Sequence, residues 1–542
     1  MSSSVFKIFP LFLLFSFLSV FACAVHFLLV NFFFDPSSLS IVPYRNQMVT
    51  PSTFKEVLVH LDLKGAPPSL TYLKEILPIL AYTGATSLLI EWEDTLPYSL
   101  GFDNTNPFRE TEIFIILAAA ESNGLASIPL VPLYSDMDFV LKVKEFAKMR
   151  QNFNDTRFIC PNARSSLDLV FKMIGRVLDF HRDTKYFHIG FRGPFPQDEC
   201  PRECCGGKHL YDVIIDHLVT IVRHFNQLYP QVKLLMWDDL FRCVPTSRIK
   251  QLMGIGKYVI PVVQPFEDMD ILGYNVESYT EFLAAIFPEV WISGTYRSAP
   301  GNSHDFKLVP NLNQHLELNS RQVDFVEAFQ HKFDHPITTF VLAGPQRDSH
   351  FSVLNELPPA SLPSMCLASY CLRHKAVGYR GVAPLFRELR CPPIHPTDDG
   401  AYARCDFPGS DVYKIMMQLQ TLVTSDEYQQ LQDWKQSRYM QYNLRHRNLP
   451  AHIIRHSLDV LSSLSERLNP IVRELQTQLG RTLYSVSDVD EWMEQNILGL
   501  LLDIKTMKQS LVRMKKYWHW PKRQFPTNEE LIREIVKRTR DS

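Results

Sequence analysis

Charged and aromatic side chains recur in this sequence directly behind short apolar runs. Asp62 and Lys64 follow one such run and Glu91, Glu93 and Asp94 the next; then come Asp136 with Asp138, His188 with Arg192, Trp237 with Asp238 and Asp239, Glu267, Tyr296 with Arg297, and Gln346 with Arg347. Carboxylates accept hydrogen bonds from hydroxyls and aromatic rings stack on pyranose faces, so these residue types, gathered in one place, suit a sugar site. Metal chemistry is less well served. Cys200, Cys204 and Cys205 in the string CPRECCGG have neither a second cysteine pair nor downstream histidines at zinc spacing, so disulfide bonding is expected there, with no metal and no cofactor.

The apolar runs themselves supply a way to gather these groups. They read as strands near residues 57–61, 87–91, 127–131, 186–190, 233–237, 258–263, 290–294 and 338–344. Segments between them, such as 69–82, 110–121, 166–182 and 210–228, repeat apolar residues at three- and four-residue spacing, as amphipathic helices do. Eight alternations of an apolar strand with a helix predict an α/β fold, a closed parallel (β/α)8 barrel of the TIM type rather than an open doubly wound sheet. Chemistry in such barrels collects where strands end and the following loops begin, which is where the polar groups fall. Beyond about Asp406 the pattern is helical, with a heptad through Ile454, Leu461, Leu468 and Leu475. Pro470 is expected to interrupt that helix and Gly480 to end it, and Ser487 with Asp490 forms a capping box for the next. The two helices read as a hairpin that covers the barrel or itself, with a protein partner or self-association as the sharper alternative.

The strings HLDLKGAPP (His60 to Pro68), LLIEWEDTLPY (Leu88 to Tyr98), FHIG (Phe187 to Gly190), LMWDD (Leu235 to Asp239) and QRDSHFSVLNELPP (Gln346 to Pro359) follow one another on successive strands. Together they resemble the hexosaminidase D-like branch of the family-twenty β-N-acetylhexosaminidases, over roughly Glu56 to Leu372. The resemblance implies a barrel that removes terminal N-acetylhexosamine from glycoconjugates with retention, the substrate's acetamido oxygen acting as nucleophile. In that family the fourth strand ends in histidine-x-glycine-x-aspartate-glutamate; the aspartate orients the acetamide and the glutamate protonates the leaving oxygen. Here the string is His188-Ile189-Gly190-Phe191-Arg192-Gly193. Arginine accepts no proton at neutral pH and opposes the charge of an oxazolinium ion, and glycine offers no side chain. Other departures are Ser135-Asp136 for a glycine-histidine pair, Pro345 for a tryptophan and Asp348 for a tyrosine. Asp62, Glu91, Trp237, Asp238, Arg347 and Glu356 match, and the resemblance makes them the expected substrate-binding residues. His188 is read as structural. The expectation is a protein that binds N-acetylhexosamine-bearing glycans with impaired catalysis; the alternative is an active exo-hydrolase in which the displaced carboxylates Asp198 and Glu199 take over.

Composition is compatible with either. Of 542 residues 46% are hydrophobic and 21% charged, as in globular chains, and a formal charge of -2 gives no general attraction to nucleic acid. The N-terminus departs from this average: residues 8–30 carry His26 as their one strongly polar side chain, between Lys7 and Asp35. That length and flanking charge predict a signal-anchor with a lumenal or extracellular bulk in the secretory pathway, while Ala22-Cys23-Ala24 leaves a cleaved signal peptide open. Nine cysteines beyond Cys23, an odd number, predict at least one free thiol, with Cys391 and Cys405 a local bridge; the sequon at Asn154 fits the same compartment. The organisation expected is a membrane segment over 1–34, a linker over 35–55, the barrel over 56–405 and a helical extension over 406–542. From Lys505 onward that extension holds 11 Lys and Arg against 4 Asp and Glu, beside Trp518 and Trp520, a composition compatible with anionic lipid or sulfated glycan.

Overall fold

Strands that are apolar on both faces must be covered on both, and a closed barrel does this with side chains inside and helices outside. The computed structural model describes residues 54–192, 204, 206–243, 249–264, 275–297, 308–354, 356–374, 378–516 and 519–522. Its barrel strands are β1 (Glu56–Asp62), β2 (Ser87–Glu91), β3 (Ala126–Leu130), β6 (Tyr186–His188), β7 (Lys233–Trp237), β8 (Val259–Val263), β9 (Trp291–Thr295) and β10 (Thr339–Ala343); β4 (Arg150–Asn152) and β5 (Asp155–Ile159) form a separate antiparallel hairpin. All barrel pairings are parallel, in the closed order β1-β10-β9-β8-β7-β6-β3-β2. The eight strands expected from the apolar runs are these eight, each shifted by no more than two residues at an end.

Alternation along each strand splits the core in two. Leu58, Leu89, Ile128, Leu235, Ile260 and Val341 fill the barrel interior, capped by Trp237 and Trp291. Their neighbours Val57, Val59, Leu88, Ile90, Leu234 and Met236 face outward into the helix layer. The helix Leu70–Tyr82 starts where Ser69 Oγ accepts from Tyr72 N at 3.2 Å, and Arg164–Phe180 buries Val170, Met173, Ile174 and Val177 at helical spacing.

The extension is held to the barrel by specific contacts. Tyr484 N donates to Pro67 O at 2.9 Å, Tyr484 OH to Glu112 Oε2 at 2.7 Å, Leu354 N to Gln495 Oε1 at 2.8 Å, and Arg347 Nη2 pairs with Glu491 Oε1 at 2.7 Å. Two local expectations are corrected. Helix Ala451–Thr482 runs unbroken through Pro470 and past Gly480. Pro470 is exposed, so the carbonyl it leaves without a donor can turn to water, and the buried stripe of Leu461, Leu464, Leu468, Ile471 and Leu475 carries the helix across it. The next capping box is Ser485 with Asp488, heading helix Val486–Met493, two residues before the pair at Ser487 and Asp490. Both pairs fit the same pattern, and the N-cap is the one that lets Tyr484 reach the barrel.

Cys391 and Cys405 are bridged as expected, a second disulfide joins Cys160 to Cys204, and Cys366 and Cys371 are free and buried. Asn154 is exposed at the turn of the β4–β5 hairpin. Among the described residues no helix is long and apolar enough to cross a membrane; residues 8–30, on which that expectation rests, lie outside them, as do Gly193, Asp198, Glu199, Cys200, Cys205, Glu267 and Trp518.

Candidate functional site

The register that sets Asp62 beside Glu91 brings the ends of β1 and β2 together with the loop after β10. Glu91 Oε1 accepts from Lys64 Nζ at 2.8 Å and Oε2 from His60 Nε2 at 3.1 Å, while Lys64 lies 3.4 Å from Asp62 Oδ2. Burial alone would raise the Glu91 carboxyl; Lys64 and His60 outweigh it and hold it well below the usual carboxylate range. Glu91 is therefore an anion with both oxygens already engaged.

Across the mouth, β6 ends at His188. Its Nδ1 accepts from Gly190 N at 3.0 Å, which leaves the proton on Nε2, an atom with no partner among the described residues. Burial, with His60 beside it, keeps this imidazole neutral. The chain then turns through positive φ at Gly190 (67°) and Phe191 (72°); a Cβ on Gly190 would lie 3.0 Å from the Pro132 backbone, so a side chain there would be both strained and crowded. This turn carries the half-buried Arg192 to 5.9 Å from the centre of the Trp237 ring. Burial would lower the guanidinium's proton affinity, but Asp136, Asp239, Glu91 and Asp348 together raise it. The cost appears on the acids: burial lifts Asp136 and pushes Asp239 up to about 6 despite Arg192.

A second cluster borders the same mouth. His350 Nδ1 lies 2.9 Å from Glu93 Oε2, and its Nε2 is 2.5 Å from Lys142 Nζ. Burial and the neighbouring Asp94 raise Glu93 well above its usual value, and burial with Lys142 pushes His350 down to about 4. Glu93, Asp94 and His350 offer ligand atoms within 4.8 Å of one another, the nearest approach to a cation site among the described residues, but both His350 nitrogens already face partners. Glu93 (φ 44°), Asp136 (φ 56°) and Phe191 place non-glycine residues in the left-handed region around one opening, a pattern of strain that collects at functional sites.

Lys64, Glu91, Glu93, Asp136, Arg192, Trp237, Asp348 and His350 line the opening, whose free volume is about 10 Å³, room for one water. Of the residues expected to bind substrate, Glu91 and Trp237 are in this lining. The other four are held elsewhere. Asp62 accepts from Lys64 N and Gln346 N; Asp238 accepts from Arg242, Gln264 N and Tyr279 OH; Arg347 donates to Ser352 O and Glu491; Glu356 is buried. Glu93 and Asp136 were among the strand-end groups that suit a sugar site without being assigned to substrate, and His350 was not singled out in the sequence. Their signal was position, within two to six residues of a strand end or inside a matching motif.

Two mammalian proteins are similar to the chain over nearly their whole length. Hexosaminidase D of Homo sapiens is 29% identical over 480 residues, 84% of this chain and 94% of that protein. Hexosaminidase D of Bos taurus is 31% identical over 334 residues, 58% of this chain and 92% of that protein. The crystal structure of a β-N-acetylhexosaminidase from Bacteroides fragilis overlaps 58% of this chain and 65% of that one, with a TM-score of 0.42 and 14% identity. No protein-family model matches the chain.

The raised Asp239 carboxyl has a measurable consequence. An acid that holds its proton more tightly folded than unfolded contributes stability that is present at low pH and lost as pH rises, here between its ordinary 3.8 and about 6. Asp239→Asn removes that contribution, so thermal melts should show a flatter dependence of Tm on pH across this window. Partial exposure limits the effect to about 1–2 kcal/mol. An unchanged slope would assign the titration to another group.

Proposed function

The chain belongs to the hexosaminidase D family, and from that premise we propose that it is a non-hydrolysing member, one that recognises N-acetylhexosamine-bearing glycans without cleaving them. The observation that carries this reading is Arg192. By the resemblance of its string to the family motif it takes the place of the acetamide-orienting acid, and Asp136, Asp239, Glu91 and Asp348 hold its charge. Retaining hydrolysis with substrate assistance needs a carboxylate to steady a developing cation and an acid to protonate the leaving oxygen. A guanidinium does neither, and Gly193 beside it has no side chain. Losing both groups removes steps that are each worth about 100-fold or more.

Recognition asks less of the site. Trp237 supplies a stacking face and Asp136, Asp348 and Ser349 supply hydrogen-bonding groups around the opening. With Arg192 over Trp237 the opening admits only water, so sugar binding proceeds by displacement: the guanidinium leaves the ring face and the pyranose takes it. Affinity is correspondingly reduced by the cost of that rearrangement.

One specific observation favours a second reading, in which the protein hydrolyses glycosides through other acids. Asp239, at about 6, lies in the range where a carboxyl serves as a general acid near neutrality. The purified protein, assayed on an aryl N-acetyl-β-glucosaminide, separates the two. The non-hydrolysing reading expects release of the aryl alcohol no faster than in buffer. Turnover that disappears in Asp239→Asn, or in Glu199→Gln, would install the corresponding carboxylate as the acid and overturn it.

We also propose that residues 8–30 anchor the chain in a secretory-pathway membrane with its bulk in the lumen. The apolar length of that segment, its flanking charge and the exposed Asn154 sequon support this. The full-length protein should stay in the pellet through alkaline carbonate extraction and carry a trimmable glycan at Asn154. Release into the wash, or an Asn154 that is never modified, would count against the topology.

A further inference from the structure

The helical extension holds a second concave surface, built from none of the barrel-mouth residues. Tyr439, Tyr442 and Asn443 come from helix Arg438–His446, Asn448 and Pro450 from the turn that follows, and Trp520 from beyond helix Gly499–Lys515; together with Ala451 they border an open cleft of about 640 Å³. That volume is within the range of small-ligand sites, roughly 300–1,000 Å³.

The lining is organised rather than incidental. Tyr439 and Tyr442, three apart, share a helix face and are 55% and 51% exposed, and Trp520 is 44% exposed, while Met440 and Leu449 of the same segment are buried. Asn443 Nδ2 donates to Tyr439 O at 2.8 Å and Asn448 Nδ2 to Asn443 Oδ1 at 3.2 Å, so the amides brace the cleft. Trp520 Nε1 donates to Leu449 O at 2.7 Å. Its one polar atom is thereby spent, and what the indole has left to offer is its faces.

The two stretches of sequence that supply these rings are one-sided in charge. No acidic residue occurs from Ser437 to His456 or from Ile504 to Lys522 in a chain whose overall charge is only -2. Arg438, Arg445, Arg447 and Lys522, neighbours of the lining residues in sequence, are all exposed. Aromatic faces with a basic surround fit a ligand that has both flat apolar faces and negative charge.

We propose that this cleft binds an anionic glycan, its sugar rings resting on Tyr439, Tyr442 and Trp520 and its sulfates or carboxylates meeting Arg438, Arg445, Arg447 and Lys522. Single-stranded nucleic acid shares some of this chemistry. The disulfides Cys160–Cys204 and Cys391–Cys405 instead belong to an oxidising compartment, where sulfated and uronate glycans are the polyanions to be met.

The test is calorimetric titration of the detergent-solubilised full-length protein with a heparin-derived hexasaccharide. Binding is expected, weakening as salt rises from about 50 to about 300 mM. The double variant Tyr439→Ala with Tyr442→Ala should weaken it about tenfold or more, as should Arg438→Glu with Lys522→Glu, while Tyr439→Phe with Tyr442→Phe should retain it. Should the alanine pair misfold, nitration of the unmutated protein by tetranitromethane gives a second readout: bound hexasaccharide should shield Tyr439 and Tyr442. No binding, affinity unchanged in a folded alanine pair, or unshielded tyrosines would overturn the proposal. So would tighter binding to phosphatidylserine vesicles or to a poly-dT oligonucleotide. An unsulfated hexasaccharide of the same backbone should bind at least about tenfold more weakly, and parity between the two would overturn the charge argument.

Discussion

A guanidinium just beyond the end of β6 is what permits several carboxylates to gather at the mouth of the barrel and behind it. Glu91, Asp136, Asp239 and Asp348 all act on Arg192, and two of them, Asp136 and Asp239, show the strain of partial desolvation as raised proton affinity. Glu91 has Lys64 as its own counter-charge, but without Arg192 the cations acting on Asp136 and Asp239 would be reduced to Lys64 and Arg242, and these two acids would take up protons more readily. The left-handed turn at Gly190 and Phe191 exists to place that cation, and the close approach of Gly190 to Pro132 fixes where the turn can go. In a hexosaminidase the same strand end would present acids to a substrate that becomes cationic in the transition state. Here the cation belongs to the protein. The mouth is electrostatically complete without a ligand, which accounts both for its small free volume and for the expectation of binding without turnover.

The rest of the mouth is tied into that arrangement through the extension. Lys64 balances Glu91 and Asp62, and its carbonyl accepts from Arg347, whose other contacts are Ser352 O and Glu491 on helix Val486–Met493. Arg347, matched by resemblance to a substrate-binding position, also acts as a strut between barrel and extension. Asp238 is likewise engaged by the protein's own groups, Arg242, Tyr279 and the backbone of Gln264. Motif matches at strand ends preserve the barrel's rim as well as its chemistry, and the two uses separate only when hydrogen-bond partners are traced.

This is also where legibility in the sequence stopped. The eight strands were readable because residues apolar on both faces leave period and length as clear signals, and the Arg192 substitution was readable because it interrupts a recognisable string. Partner choice was not. Arg347 pairs with Glu491, 144 positions away, and Glu93 meets His350 across 257, distances over which spacing carries no information. The capping box at Ser485 rather than Ser487 was undecidable for a related reason, since both fit the local pattern and the barrel contact of Tyr484 selects between them. Pro470 misled because a propensity measured in isolation was overruled by a long buried stripe.

If Arg192 is the internal counter-charge of the mouth, removing the charge while keeping the bulk should be tolerated only where the acids can be protonated. The most direct measurement is the unfolding free energy of Arg192→Met against the unmutated protein at pH 5 and pH 8. A loss of roughly 2–4 kcal/mol is expected at pH 8, where Asp136 and Asp239 are ionised with only Lys64 and Arg242 left to act on them, shrinking to less than about 1 kcal/mol at pH 5. A loss of equal size at both pH values, or a gain at pH 8, would contradict it and show that Arg192 is held by packing and not by the carboxylates around it.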